Sequence, residues 1–381
     1  MKFIHTSDWH IGRQLHSQSL LEDQAHILAQ IVQLAGEHQV DAVVVAGDIY
    51  DRSVPPASAV ALLDDVVNQL VNELQINVIM IAGNHDGHER LSFAARQLQS
   101  TGLYIQGPLT REINPITLTS SSGGAVFYPL PYAEPATVRY LFDCDVSTHE
   151  QAMQVLLDEV SKHDSEGLAK VVIAHCFLDG GSESDSERPL SIGGADKISP
   201  SLFTPFDYCA LGHLHGPQYK GESHIRYSGS ILKYSFSEQK QKKSVTLVEV
   251  AANKQPEITL LPLTPLRDVR IIEGALEQVL TQGINDPNRD DYIMVRLSDK
   301  QAILDAMGKL RDVYPNVLHL ERTGLMASSE QLAIRADHIK KGELDMFSDF
   351  FQQVSGQSLS AEQRSLMVDT INGLHDVEEN Q

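Results

Sequence analysis

Five short polar groups punctuate the first 215 residues: Asp8-Trp9-His10, Gly47-Asp48-Ile49-Tyr50-Asp51, Gly83-Asn84-His85-Asp86, a lone His175, and Gly212-His213-Leu214-His215. Their side chains are hard oxygen donors and borderline imidazole nitrogens, with no cysteine among them. That mixture suits manganese, iron, zinc or magnesium better than copper. Asp8, His10, Asp48, Asn84, His175, His213 and His215 together offer more ligands than one first-row ion needs. Two ions sharing a bridging carboxylate would use them all. Such a pair, roughly 3.5–4 Å apart, activates a bridging water for in-line attack at phosphorus and stabilises the charge that develops there. Each signal alone is weak. A lone buried histidine is more often a satisfied core residue, and a lone Asp48 would be read as a turn or helix cap. The weight lies in all five occurring in order, each directly after an apolar run.

Those runs are the elements that must position the ligands. Residues 2–6, 41–46, 77–82, 126–130, 170–174, 208–211 and 245–250 read as strands. Helical apolar spacing covers 20–38, 55–74, 88–101 and 148–163. The alternation predicts an α/β fold, a layered β-sandwich core flanked by helices. In such sheets ligands bind beyond the carboxyl ends of the strands, where all five groups fall. Residues two apart in extended chain point to one side, which pairs Asp8 with His10 and His213 with His215. Glycines at 47, 83 and 212 permit sharp turns and close backbone approach. Residues 111–124 read as a connection, and 179–200 as a polar loop too long for an ordinary connector.

Prolines at 262 and 265 mark a boundary. The expected domains are 1–264, a small α+β module over 265–335 with a helix at 298–313, and a helix pair over 341–375. Ser360 and Gln363 form a capping-box pattern in that pair.

The net charge of −21 argues against a free-standing DNA binder, so metal ions or a basic partner would have to supply attraction to phosphate. The N-terminus lacks a secretory pattern, and no run approaches the ~18 apolar residues of a membrane helix. Cys144, Cys176 and Cys209 are an odd, sparse set. They argue against a disulfide framework and fit a reducing cytoplasm.

The motif series resembles the calcineurin-like metallophosphoesterase superfamily: DxH, GDxxD, GNHD, a lone His and GHxH. HTSDWHIG, VVVAGDIYDRSVPP, SERPLSIGG and RYSGSILKYSF are similar to its branch of bacterial nuclease subunits in double-strand-break repair. This resemblance covers nearly the whole chain. It implies one metal on Asp8, His10, Asp48 and His215, a second on Asp48, Asn84, His175 and His213, and Asp48 as the bridge. His85 would then act as a catalytic residue that positions the scissile phosphate and stabilises or protonates the leaving oxygen. The resemblance further implies a manganese-dependent exonuclease and endonuclease, with magnesium as the alternative ion. The implied assembly is a homodimer of nuclease subunits with an SbcC-type coiled-coil ATPase docked on the terminal helices through Leu344, Phe347, Phe350, Phe351 and Val354, and Leu366, Met367, Ile371 and Leu374. Val60, Leu63, Val66 and Val67 are candidates for the dimer contact, and core packing explains them equally well. Asp86 either orients His85 or stabilises its turn. Asp51 stands where some archaeal relatives have histidine, and Ile231 replaces the usual proline of SGSP. Two other readings compete: another phosphodiesterase or phosphatase of the superfamily, and a non-catalytic subunit that tethers DNA ends.

Overall fold

Continuous β-branched runs leave no polar face, so they settle in sheets covered on both sides. The computed structural model describes residues 1–190, 196–326, 343–355 and 357–378. Residues 191–194 of SERPLSIGG and 327–342 lie outside the described residues. The chain divides into one compact unit over Met1–Val269 and another over Arg270–Gln381.

The first unit contains β1 (Lys2–Thr6), β2 (Ala42–Val45), β3 (Asn77–Ile81), β4 (Leu103–Gln106), β5 (Ile116–Ser120) and β6 (Gly123–Leu130). It continues with β7 (Ala169–His175), β8 (Tyr208–Gly212), β9 (Gln218–Lys220), β10 (Glu222–Tyr227), β11 (Ser244–Glu249) and β12 (Glu257–Pro262). These form two six-stranded sheets, ordered β12-β11-β1-β2-β3-β4 and β9-β10-β8-β7-β6-β5. Strands β1 to β4 are mutually parallel, as are β6, β7, β8 and β10. Phe3, Val44, Ile79 and Ile81 of one sheet pack against Phe127, Val171, Ile173 and Tyr208 of the other, which makes a sandwich. The alternate residues Ile4, Val43, Val45 and Val78 are also fully buried. Helix α1 (Leu21–Glu37) buries Ile27, Leu28 and Ile31, and α2 (Ala57–Asn68) buries Leu63 and Val66. Helix α3 (His149–Ser161) lays Met153, Leu156 and Val160 on the outer face of the second sheet. Its first turn is fixed by a capping box in which Thr148 and Gln151 satisfy each other's backbone N–H groups.

Three local expectations differ from the structure. The 88–101 segment is broken into His88–Leu91 and Ala95–Leu98, because Ala94 is left-handed at φ 61° and Phe93 is 84% exposed instead of facing the core. The connection at 111–124 contains β5, paired antiparallel with β6. In the second unit, the helix expected over 298–313 is only Ala306–Arg311, started by Asp305, whose carboxylate caps the Gly308 N–H.

The second unit holds a three-stranded sheet of Val269–Gly274, Tyr292–Leu297 and Val317–Arg322 in that order. The helix Leu276–Ile284 contributes Val279 to a core with Ile293, Val295, Leu310 and Tyr314. Two further helices, Glu343–Ser355 and Ala361–Glu378, carry the C-terminal apolar residues. The second begins with the expected box: Gln363 Oε1 accepts the Ser360 N–H at 2.9 Å, and Ser360 Oγ accepts the Gln363 N–H at 3.2 Å. Phe350 is 60% and Leu366 70% exposed. The side chains of Val354 and Leu374 are outside the described set. No helix among the described residues is long and apolar enough to cross a membrane.

Candidate metal centre

The carboxyl ends of β1, β2 and β3 and those of β7 and β8 meet along one rim of the sandwich. Two glycines allow this. Gly47 has φ +91°, and a Cβ there would lie 2.4 Å from His175 Nδ1. At Gly212 a Cβ would meet the Ala46 carbonyl at 1.9 Å. Only hydrogen fits at either position, so the two sheets can close until their strand-end side chains share one space.

All seven expected ligand residues and His85 are brought together there, and six of the seven are almost fully buried, Asn84 being half-buried. Ligand-type atoms of Asp8, His10 and His215 lie within 4.8 Å of one another, as do those of Asp8, Asp48 and His175. His10 Nε2 and His215 Nε2 face each other at 3.1 Å. The Asp48 carboxylate stands between the two groups, with Oδ2 3.6 Å from His10 Nε2 and 3.4 Å from His175 Nε2. Asn84 Oδ1 is 2.9 Å from His175 Nε2, and the His213 ring centre is 5.5 Å from that of His175.

Backbone geometry aims these groups. Asp8, His10, Asp48 and His213 all have positive φ, at 51°, 44°, 52° and 109°. The Asp8 and His10 N–H groups donate to the Gly47 and Asp48 carbonyls. Ser7 Oγ and the His213 N–H donate to the Asp8 carboxylate. Burial raises Asp8 to about 6. Burial would raise Asp48 as well, but His175 and His10 hold it well below the ordinary range. Burial opposes charge on His175, yet the Asp48 carboxylate lifts it to about 9. His10 and His213 are pushed well down by burial and stay neutral. Buried anions thus share their space with facing imidazole nitrogens, a donor set that fits divalent cations.

Several functional neighbours escaped the sequence reading. His215 Nδ1 lies 2.5 Å from Ser186 Oγ, whose proton goes to Glu238. The serine therefore accepts the Nδ1 proton, which leaves Nε2 as the free lone pair. Glu238 is fully buried and accepts from Lys243 Nζ at 2.6 Å. Burial alone would raise its pKa, but Lys243 and His215 keep it far below the usual range. Glu187 Oε1 accepts the His215 N–H at 2.8 Å. Gln24 binds the Trp9 and His10 carbonyls, and the Tyr234 hydroxyl donates to that of Trp9. These partners come from loops at 184–187, 228–243 and the start of α1, with no spacing to reveal them. The clue available was an isolated acid, Glu238, in a Ser-rich stretch.

His85 lies at the mouth, its ring centre 4.6 Å from that of His10. Its Nδ1 donates to the Asp51 carbonyl at 2.8 Å, so Nε2 is left for the cleft. Burial lowers its pKa against the opposing pull of the Asp48 carboxylate and the Asp51 carbonyl, and Arg188 and Arg13 add to the lowering. Asp86 stabilises the turns and makes no bond to His85: its carboxylate accepts the N–H groups of Gly83, Ile49 and Tyr50. Asp51 Oδ1 is 4.0 Å from His10 Nδ1, a buried nitrogen with no hydrogen-bond partner. Ile231 is buried in its loop, 1% exposed.

The family model for calcineurin-like phosphoesterases matches residues 1–217. A second model, described as the type 5 capsule protein repressor C-terminal domain, matches residues 265–355. The chain is 38% identical over 361 residues to the SbcD subunit of nuclease SbcCD from Staphylococcus epidermidis, covering 94% of this chain and 95% of that one. Among solved structures it is similar to a dimetal phosphatase from Danio rerio, with TM-score 0.39 and 12% identity over 68% of this chain and 98% of that chain. TT1561 of Thermus thermophilus is similar at TM-score 0.38 and 14% identity, over 68% of this chain and 98% of the other.

Proposed function

Since the chain belongs to the calcineurin-like phosphoesterase family, we propose that its strand-end centre holds two divalent ions and that the protein is a metal-dependent DNA nuclease. The donor set alone suits any phosphodiester. The DNA reading is carried by the 38% identity that runs through both units to a nuclease subunit.

In this reading Asp8, His10, Asp48 and His215 would hold one ion and Asp48, Asn84, His175 and His213 the other, with Asp48 common to both sets. When bound, the ions supply Lewis acidity to the phosphodiester and lower the pKa of water towards neutrality. The chain's own groups do the rest. The hydrogen bond from His215 Nδ1 to Ser186 fixes the tautomer that leaves Nε2 for metal, and the Ala46 carbonyl, 2.9 Å from His175 Nδ1, does the same for His175. His85, anchored through Nδ1, directs Nε2 at the phosphate. A bound anion raises the basicity of that nitrogen, and His85 can then stabilise or protonate the leaving oxygen.

Manganese is the proposed ion, and the cytoplasm the proposed compartment. The partner is an SbcC-type coiled-coil ATPase seated on the C-terminal helices, where exposed Phe350 and Leu366 offer apolar anchors. The assembly is a homodimer of nuclease subunits within that complex. On α2, Val60 is 45% exposed and available for a dimer contact, while Leu63 and Val66 are taken up by the chain's own core.

The test is incubation of the purified chain with end-labelled duplex and hairpin DNA plus manganese, beside Asp48→Ala. Degradation by the wild type alone is expected. If the wild type hydrolyses bis-p-nitrophenyl phosphate but leaves DNA intact even with the ATPase partner, the nuclease reading is wrong and the metal site stands.

A further inference from the structure

Beside the metal centre lies a cleft of about 290 Å³ that His85 shares with three arginines, Arg13, Arg52 and Arg188. Such a concentration of cations stands out in a chain of net charge −21. Arg13 is held in place. Its Nη2 donates to the Ser186 carbonyl at 2.7 Å, and its guanidinium lies 5.0 Å from the Tyr234 ring centre. Its Nη1 is buried with no hydrogen-bond partner, 3.5 Å from Asp51 Oδ1. Arg52 and Arg188 are exposed.

The carboxylates lining the cleft are already engaged. Glu187 gives Oε1 to the His215 N–H and Oε2 to the Ser184 N–H and hydroxyl. Asp51 faces both Arg13 and Arg52, with the latter at 3.8 Å. Three guanidiniums against the two carboxylates, Asp51 and Glu187, leave a wall that is positive by one charge. The cleft is near the lower end of the ~300–1,000 Å³ range of small-ligand sites, the scale of one nucleotide unit and not of a duplex face.

We propose that this cleft is a subsite for the phosphodiester next to the scissile one, gripped by Arg188 and Arg52, with Arg13 fixed behind them as a buried positive charge. The inference rests on the phosphodiesterase reading above. It accounts for the 179–200 loop, in which Ser186 positions His215 and Arg13, and Arg188, two residues on, meets the substrate backbone. Guanidinium groups suit this contact because they bind phosphate oxygens in a fork.

The test uses the full chain with manganese and two pairs of chromogenic substrates. One pair is thymidine 5′-(p-nitrophenyl phosphate) with and without a 3′-phosphate. The other is the 3′-ester with and without a 5′-phosphate. Wild type is expected to favour the phosphorylated member of one pair by about tenfold in kcat/KM, through KM, the scale of one charge-assisted contact. Arg188→Ala and Arg52→Ala, both at exposed positions, should each remove most of that preference. Equal preference in wild type and variants, or none in wild type, overturns the subsite. If no ester is hydrolysed, the phosphodiesterase reading is what fails. The subsite is then judged by calorimetry with thymidine 3′,5′-bisphosphate against thymidine, and equal affinity of wild type and Arg188→Ala for the bisphosphate overturns it.

Discussion

Glu238 is a fully buried carboxylate whose charge is matched chiefly by Lys243, with His215 Nδ1 at 3.5 Å as a second partner. Glu238→Gln should leave that ammonium buried and uncompensated, at a cost of about 3–5 kcal/mol. The same change loosens the hold on His215, so manganese affinity should fall about 10–100-fold. Denaturant unfolding with chelator and calorimetry with manganese read the two effects separately. Wild-type affinity in the variant would exclude a positioning role. His5 makes a different prediction. Burial drives its pKa down from 6.5 to about 3, and the neutral ring bonds to Tyr208 Oη and the Leu211 carbonyl. Between those values the unfolded chain binds a proton that the folded chain refuses. Stability is therefore lost as pH falls below 6.5, by about 1.4 kcal/mol per pH unit for this one group. Unfolding free energies of wild type and His5→Gln should begin to diverge between pH 7 and 6 and approach that slope between pH 6 and 5. Parallel curves would count against it.

At the scale of elements, what the sequence displayed was periodicity. The β-branched runs ending at Val45 and Ile81 specify buried strands, and the ligands follow them directly, so the rim was legible from pattern alone. Helix α3 was legible too. Thr148→Ala should remove its cap and lower stability by about 1 kcal/mol without changing metal affinity, measured by urea unfolding at unchanged slope. What pattern could not show was the fate of short apolar stretches. Leu91 and Ala95 are buried but Phe93 is exposed, since the turn at Ala94 breaks the helical phase. Nor could it show Ser186, Glu238 and Lys243 meeting at His215, because that meeting depends on loops folding across each other. The role of Asp86 was open in the sequence and is decided by three backbone N–H groups.

At the scale of the whole molecule, the acidic balance predicts that the isolated chain binds DNA weakly, with affinity falling steeply as salt rises. Fluorescence anisotropy at two salt concentrations tests this, and nanomolar binding at physiological salt would contradict it. The C-terminal helices make a separate prediction. Phe350→Asp with Leu366→Asp changes exposed positions, so stability should move by no more than about 0.5 kcal/mol. Binding to the coiled coil of the proposed ATPase partner should nevertheless be lost, as titration calorimetry would show. The left-handed turns at Asp8, His10, Asp48 and His213 have a further consequence, which concerns descent. Non-glycine residues in that conformation cost of order 1–3 kcal/mol each, and here they also crowd two carboxylates into a dry space. Selection for hydrolysis is what retains such an arrangement. A lineage freed from that selection would gain robustness by shedding it, and its first substitutions are expected to be asparagine or glycine at positions 8 and 48, with the sandwich beneath left unchanged.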